Sequence, residues 1–118
     1  MKYYIIAGEA SGDLHASNLI KGIKRHDPRA ECRGWGGSLM QAAGCTVVRD
    51  YKDTAIMGFL TVLRHLGTIR QNLRQCHDDI VRWRPDALIL VDYSGFNLRL
   101  ASMLREKEMK IFYYIESG

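Results

Sequence analysis

The sequence predicts an α/β domain built on a doubly wound, parallel sheet, and three observations predict it. Short apolar runs alternate with amphipathic stretches along the chain, with no internal repeat and no low-complexity segment. One run, Ala87 to Val91, is apolar at every position, as in strands buried on both faces of a parallel sheet. A glycine-punctuated turn, Gly8 to Asp13, joins the first strand to the first helix, and in open α/β sheets such turns line the ligand-binding edge.

Each element follows from local signals. The first strand is Tyr3 to Ala7, and a helix follows from about Asp13 to His26 with Leu14, Leu19, Ile20 and Ile23 facing inward. Asp27-Pro28 stops it, because the residue before proline avoids helical geometry. A weak strand falls at Ala30 to Trp35, Gly36-Gly37 turns into a short helix from Ser38 to Ala43, and Gly44 closes that helix as its C-cap. Thr46 to Arg49 is a third strand, followed by a polar connection from Asp50 to Thr54. Between Phe59 and Trp83 the apolar residues Leu66, Ile69, Leu73, Cys76, Ile80 and Trp83 recur at helical spacing, with Gly67 placed to bend or divide the helix. Pro85-Asp86 punctuates before the strand Ala87 to Val91, a helix runs from Phe96 to about Lys107, and Lys110 to Ile115 is the last strand. With right-handed crossovers this order gives a Rossmann-like sheet. The chain stops at Gly118, where another ligand-facing loop is due, so residues 1–118 are expected to be one truncated domain.

Composition narrows the function classes. Hydrophobic residues at 47% and charged residues at 25% describe a globular chain rather than a disordered one. The net charge of +4 permits an anionic partner without demanding one, and nothing indicates nucleic acid. Cys32, Cys45 and Cys76 are scattered without metal-ligand spacing and read as reduced thiols. His15, His26, His65 and His77 show no such spacing either, so neither metal nor cofactor is expected. The apolar start is too short for a signal peptide and no stretch is long enough to span a bilayer, which makes the cytoplasm the expected location.

Three constellations carry candidate chemistry. The first is Gly8-Glu9-Ala10-Ser11-Gly12-Asp13, a loop that matches neither the dinucleotide fingerprint nor a P-loop. Taken alone, cap preference favours turn-making over ligand contact here, with Asp13 as an N-cap. The second is Val91-Asp92-Tyr93-Ser94-Gly95-Phe96-Asn97. A carboxylate at the end of a buried strand must be solvated or paired, and such positions hold general bases and ligand contacts, so Asp92 is read as functional. Ser94 lacks the nucleophile-elbow pattern, and Asn97 is read as a helix cap. The third is Ile56 to Leu66, whose apolar residues exceed one helix stripe and lie close to Arg64, Arg70 and Arg74. That combination suits an anionic lipid surface or a lipid substrate, with cover by another part of the protein as the equal alternative.

Together these pieces resemble the lipid-A-disaccharide synthase family. The resemblance rests on Ala7 to Asp13, Trp35-Gly36-Gly37 with Met40-Gln41 and Gly44, Ala55 to Gly58, and Pro85-Asp86 leading to Val91-Asp92 with Gly95-Phe96-Asn97. It runs along the whole chain but covers only about the N-terminal third of a family member. Ser94 and Gly95 stand where the family often has Pro and Asp, and Glu116-Ser117-Gly118 departs from its continuation.

The resemblance implies the partial N-terminal domain of a GT-B glycosyltransferase, with the active site between two Rossmann-like domains. The implied reaction is inverting: 2,3-diacylglucosamine passes from its UDP derivative to the 6-hydroxyl of 2,3-diacylglucosamine 1-phosphate (lipid X), and UDP leaves. Asp92 is then the candidate general base. Gly8, Glu9, Ser11, Gly12, Asp13, Phe96 and Asn97 are candidate substrate contacts, and Ile56, Met57, Phe59, Leu60 and Leu63 candidate contacts to acyl chains or the cytoplasmic face of the inner membrane. The departing UDP is served from the C-terminal domain without an obligatory metal. The chain alone is expected to be inactive, and homo-oligomerisation stays open. The rival readings are another GT-B nucleotide-sugar enzyme and a non-catalytic, flavodoxin-like nucleotide-binding module.

Overall fold

The computed structural model describes residues 1–51, 66–91, 95–105 and 109–114. In chain order these form β1 (Lys2–Ile6), α1 (Ala10–His26), β2 (Glu31–Gly36), α2 (Ser38–Ala42), β3 (Cys45–Asp50), α3 (Leu66–Trp83), β4 (Ala87–Val91), α4 (Gly95–Leu104) and β5 (Lys110–Tyr114). The strands make one five-stranded sheet in the order β3-β2-β1-β4-β5, and every pairing is parallel. This is the doubly wound Rossmann order, not the 2-1-3-4-5 order of flavodoxin-like domains.

The core divides between the two faces of the sheet. Tyr4 and Ile6 of β1 point with Leu88 and Leu90 of β4 toward Leu73, Cys76 and Ile80 of α3 and Leu100 and Leu104 of α4. Ile5, Ala7, Ile89 and Val91 point the other way, toward Ala16 and Ile20 of α1 and Met40 of α2. Because strand side chains alternate, a strand covered on both sides must be apolar throughout. All five residues of β4 are buried, as its sequence predicts.

Helix α1 starts three residues earlier than expected, at Ala10; Ile20 is buried and Leu19 and Ile23 pack on the core as expected, but Leu14 does not. Asp13, Ala16, Ser17 and Ile20 are buried, whereas Leu14 is 47% exposed. The stripe 13-16-17-20 follows helical spacing, and Leu14 lies about 100° around the helix from Asp13. Small side chains let α1 approach the sheet closely, so the larger leucine turns outward. Gly44 does end α2 as predicted, with a φ of +108° that favours glycine. Gly34 is set by close approach, since a Cβ there would collide with the Ile5 carbonyl of the neighbouring strand.

At the amino-terminal edge of the sheet, α3 is held by a polar clamp. Arg33 of β2 donates two hydrogen bonds to Asp79, Nε to Oδ2 at 2.9 Å and Nη2 to Oδ1 at 2.8 Å. The Tyr4 hydroxyl donates to the same carboxylate at 2.7 Å. Trp83 meets Tyr4 edge-on at 6.1 Å and carries the Lys2 ammonium over its ring at 5.0 Å. The Arg33 guanidinium beside Asp79 holds its carboxyl below the ordinary carboxylate value, against the opposing effect of burial.

A carboxylate whose pKa is depressed by folding contributes stability above its unfolded pKa and loses it as pH falls through the folded value. Asp79→Asn should therefore destabilise the chain at neutral pH by about 1.5–3 kcal/mol, the range for a hydrogen bond to a charged group. The parent and variant melting curves should converge as the pH drops below the ordinary Asp value of 3.8. Thermal unfolding followed by circular dichroism across that range checks this, and a gap independent of pH would mean that the ion pair contributes nothing.

Candidate functional site

The strand order locates a crevice. From β1 the chain winds toward β2 and β3, and from β4 it winds toward β5, so the connections diverge between β1 and β4. Ligands of open α/β sheets bind at such a switch point, outside the carboxyl ends of the strands. Ile6 lies opposite Leu90, which sets the two chain exits, Ala7 and Val91, side by side. The segments that follow them in sequence contain the first two candidate constellations.

The β1–α1 turn is built from small residues. Gly8, Glu9, Ala10 and Ser11 are exposed, while Gly12 and Asp13 are buried. Glu9 occupies the N-cap position in extended geometry, yet its side chain makes no capping hydrogen bond. It accepts instead from the Ser11 hydroxyl at 3.1 Å. Asp13 N–H closes the first turn onto the Glu9 carbonyl at 2.9 Å, which leaves the N–H groups of the first helical residues to face an anion or water. A Cβ at Gly8 would meet nothing within 4 Å, so packing does not require that glycine.

Asp13 does a different job from the one its sequence position suggests. Rather than capping α1, it lies inside that helix and is 3% exposed. Its Oδ1 accepts from the backbone N–H of Gly37 at 2.9 Å and of Met40 at 3.0 Å, and Oδ2 accepts from Leu39 N–H at 3.1 Å. The carboxylate therefore caps α2 from across the fold, and its oxygens are committed to backbone. Gly37 makes this joint possible, since a Cβ there would stand 2.6 Å from Asp13 Oδ2 and 2.6 Å from the Tyr51 ring.

Asn97 likewise acts on the backbone rather than as a helix cap. It is the third residue of α4, 2% exposed, and its Nδ2 donates to the Val91 carbonyl at 3.0 Å. That bond ties the end of β4 to the start of α4, on either side of residues 92–94. Asp92 itself lies outside the described residues, as do Ile56, Met57, Phe59, Leu60 and Leu63. Phe96 belongs to the first turn of α4.

Two features of this edge depart from what the sequence predicts, which has Leu14 facing inward and gives Leu39 and Arg49 no role here. Leu14 and Leu39 are 47% and 45% exposed and flank the Asp13–α2 joint. Their signal was an apolar residue one place off the buried stripe, visible only once the helix start is known. Arg49 stacks its guanidinium 5.5 Å from the centre of the buried Trp35 ring and donates to Gln75 at 2.7 Å. This contact fastens β3 and β2 to α3.

Comparison with known proteins now bears on what the crevice belongs to. Residues 3–117 match the family of lipid-A-disaccharide synthetases. The chain belongs to the lipid-A-disaccharide synthase family. It is 39% identical over 111 residues to the lipid-A-disaccharide synthase of Trichlorobacter lovleyi, covering 94% of this chain. The corresponding proteins of Geobacter metallireducens and Geobacter sulfurreducens are 43% and 41% identical over the same share. The chain spans 29% of the length of each of these synthases. Among the described residues no helix is long and apolar enough to cross a membrane.

The Asp13 joint can be weighed by mutation. Asp13→Ala leaves three backbone N–H groups without their acceptor and should cost about 3 kcal/mol, at 1–3 kcal/mol for each buried donor left unsatisfied and partial rescue by water. Ser11→Ala, on the exposed lip, should stay within about 0.5 kcal/mol of the parent. Urea denaturation of the two variants decides, and equal midpoints would show that the joint carries no stability.

Proposed function

We propose that this chain supplies the acceptor-side domain of a lipid-A-disaccharide synthase, an inverting glycosyltransferase. The whole enzyme transfers 2,3-diacylglucosamine from its UDP derivative to the 6-hydroxyl of lipid X and releases UDP. The observation that carries this reading is the β1–β4 crevice of a chain matched to the family over residues 3–117. One wall is the exposed Gly8–Ser11 turn, and the other is the end of β4 at Val91, which Asp92 follows in sequence.

Inversion asks for in-line attack, with the acceptor hydroxyl and the leaving UDP on opposite faces of the sugar. The O6 oxygen bonds to the anomeric carbon as the bond to UDP breaks, and the O6 proton passes to a base on the acceptor side. Asp92 is that base in our reading. The bond from Asn97 to the Val91 carbonyl holds the end of β4, which Asp92 follows in sequence, making Asn97 a positioning residue rather than a substrate contact. Glu9 and Ser11, whose side chains stay at the surface, are left to meet the polar head of the acceptor with the first amides of α1. Gly8 and Gly12 keep that turn slim. Asp13 is the member of the loop withdrawn from substrate.

Lipid-linked substrates give the apolar residues a purpose. Ile56, Met57, Phe59, Leu60 and Leu63 serve acyl chains or the cytoplasmic face of the inner membrane, and Leu14 and Leu39 extend an apolar rim beside the crevice. The nucleotide-sugar side comes from a second domain, so this chain by itself turns over no substrate.

In the whole enzyme, assayed with lipid X and the UDP-diacyl sugar, Asp92→Asn should lower kcat about a thousandfold, within the 10²–10⁴ range of general-base catalysis. Binding of the UDP sugar should stay nearly unchanged, and undiminished turnover would remove Asp92 from the base role. For the apolar segment, the double change Leu60→Ser with Leu63→Ser should reduce co-sedimentation with anionic liposomes. Sedimentation equal to the parent would reassign the segment to an interface within the protein.

A further inference from the structure

A strip without charged side chains runs outward from the turn after β1. Within residues 10–20 the exposed positions are Ala10, Ser11, Leu14 and Asn18, and the only Asp, Glu, Lys or Arg, Asp13, is buried. Helix α2 adds Ser38, Leu39, Gln41 and Ala42 to the surface, and no Asp, Glu, Lys or Arg lies between Arg33 and Arg49. In a chain with 25% charged residues, such a strip is complementary to a neutral, apolar occupant.

Its two large side chains sit next to the exposed lip. Leu14 follows Ser11 by three residues, so both lie on one face of α1, with Leu14 about 4.5 Å further along the axis. Leu39 is the second residue of α2, and its N–H donates to Asp13, the residue before Leu14. The leucines are 47% and 45% exposed, while Asp13 and Met40 beside them are buried. Because the Asp13 bonds join α1 to α2, both leucines are held on fixed elements.

We propose that Leu14 and Leu39 take one acyl chain of the acceptor and set its preferred length. The inference rests on the acceptor-side reading above and names which part of that substrate this wall holds. Both acyl chains of 2,3-diacylglucosamine 1-phosphate are attached at the sugar ring itself. A polar head held at Ser11 therefore releases its first methylenes within one helical turn, where Leu14 lies. A long chain continues to Leu39, and a short one ends before it. Stabilisation grows with the apolar area withdrawn from water. The contact is the same before and during sugar transfer, so it acts on acceptor binding and leaves the chemical step unchanged.

The test uses the whole enzyme with the UDP-diacyl sugar saturating and lipid X supplied with long or short acyl chains, below its micelle concentration. Leu14→Gln with Leu39→Gln should raise KM for long-chain lipid X about tenfold, the low end of what one methylene is worth in an apolar pocket. The kcat, and the KM for short-chain lipid X, should stay within about twofold of the parent, the signature of lost uniform binding. Both leucines are exposed, so the variant should keep the parent's melting curve. Leu98→Gln with Met103→Gln, comparably exposed on α4 across the sheet, should leave the chain-length preference unchanged. A diazirine carried in the acyl chain of lipid X should label the peptides that hold Leu14 or Leu39, a readout that needs no turnover.

Equal losses for long and short acceptors would make the leucines an interface with another part of the protein and overturn the proposal. So would the same loss in the α4 variant, a response to the donor's chain length instead of the acceptor's, or label confined to other peptides. A parent that transfers no sugar to lipid X removes the acceptor-side reading and this inference with it. An active parent whose preference the leucine variant leaves intact removes this inference alone.

Discussion

A carboxylate taken out of water survives only where donors surround it, and Asp13 has them in the backbone of another element. Its oxygens accept from Gly37, Leu39 and Met40, which fuses the β1–α1 and β2–α2 connections into one piece. The rest of the carboxyl edge depends on this bond set. It seats the first turn of α1 against the sheet, gives α2 its N-terminal cap, and leaves Gly8 to Ser11 as the part of the turn that faces outward. Helix α2 spans only Ser38–Ala42, too short to persist without tertiary support.

The two ends of the sheet use polar groups differently. At the amino edge, Tyr4, Arg33 and Asp79 satisfy one another and pin α3 to the strands, with Lys2 and Trp83 adding a cation–π contact. Asp86 exchanges hydrogen bonds with Lys2 there, accepting at 2.7 Å and donating its own N–H at 2.8 Å. At the carboxyl edge, the buried Asp13 and Asn97 bond to backbone, and the exposed Ser11 hydroxyl donates to Glu9. Both ends are tied by polar groups, and the carboxyl edge in addition leaves an exposed turn on a rigid scaffold, the kind of place where functional loops sit.

Much of the fold was legible because its signals are local. The wholly apolar run of β4, the proline after Asp27, the glycine after Ala43 and the helical stripe through Leu73, Cys76 and Ile80 each report their own neighbourhood, and each element stands where they put it. Leu14 misled because hydrophobicity alone does not fix the phase of a helix. The close packing of Ala16 and Ser17 against the sheet does. Asp13 and Asn97 were legible as polar residues near helix starts and misread as caps of their own helices, since their partners lie 24 to 27 residues away in one case and back across a loop in the other.

The sequence by itself determined the class of fold, the order of its elements and the family to which the chain belongs, because apolar periodicity and short motifs are written in consecutive residues. The tertiary structure alone decided the strand order β3-β2-β1-β4-β5, and with it that the turn after β1 and the exit from β4 share one crevice. It also decided that Asp13 supports that crevice from beneath while Glu9 and Ser11 face out of it. The physical reason is the same in both cases. Strand neighbours and the donors of a buried carboxylate are set by packing between distant segments, and no local pattern encodes which of those segments will meet.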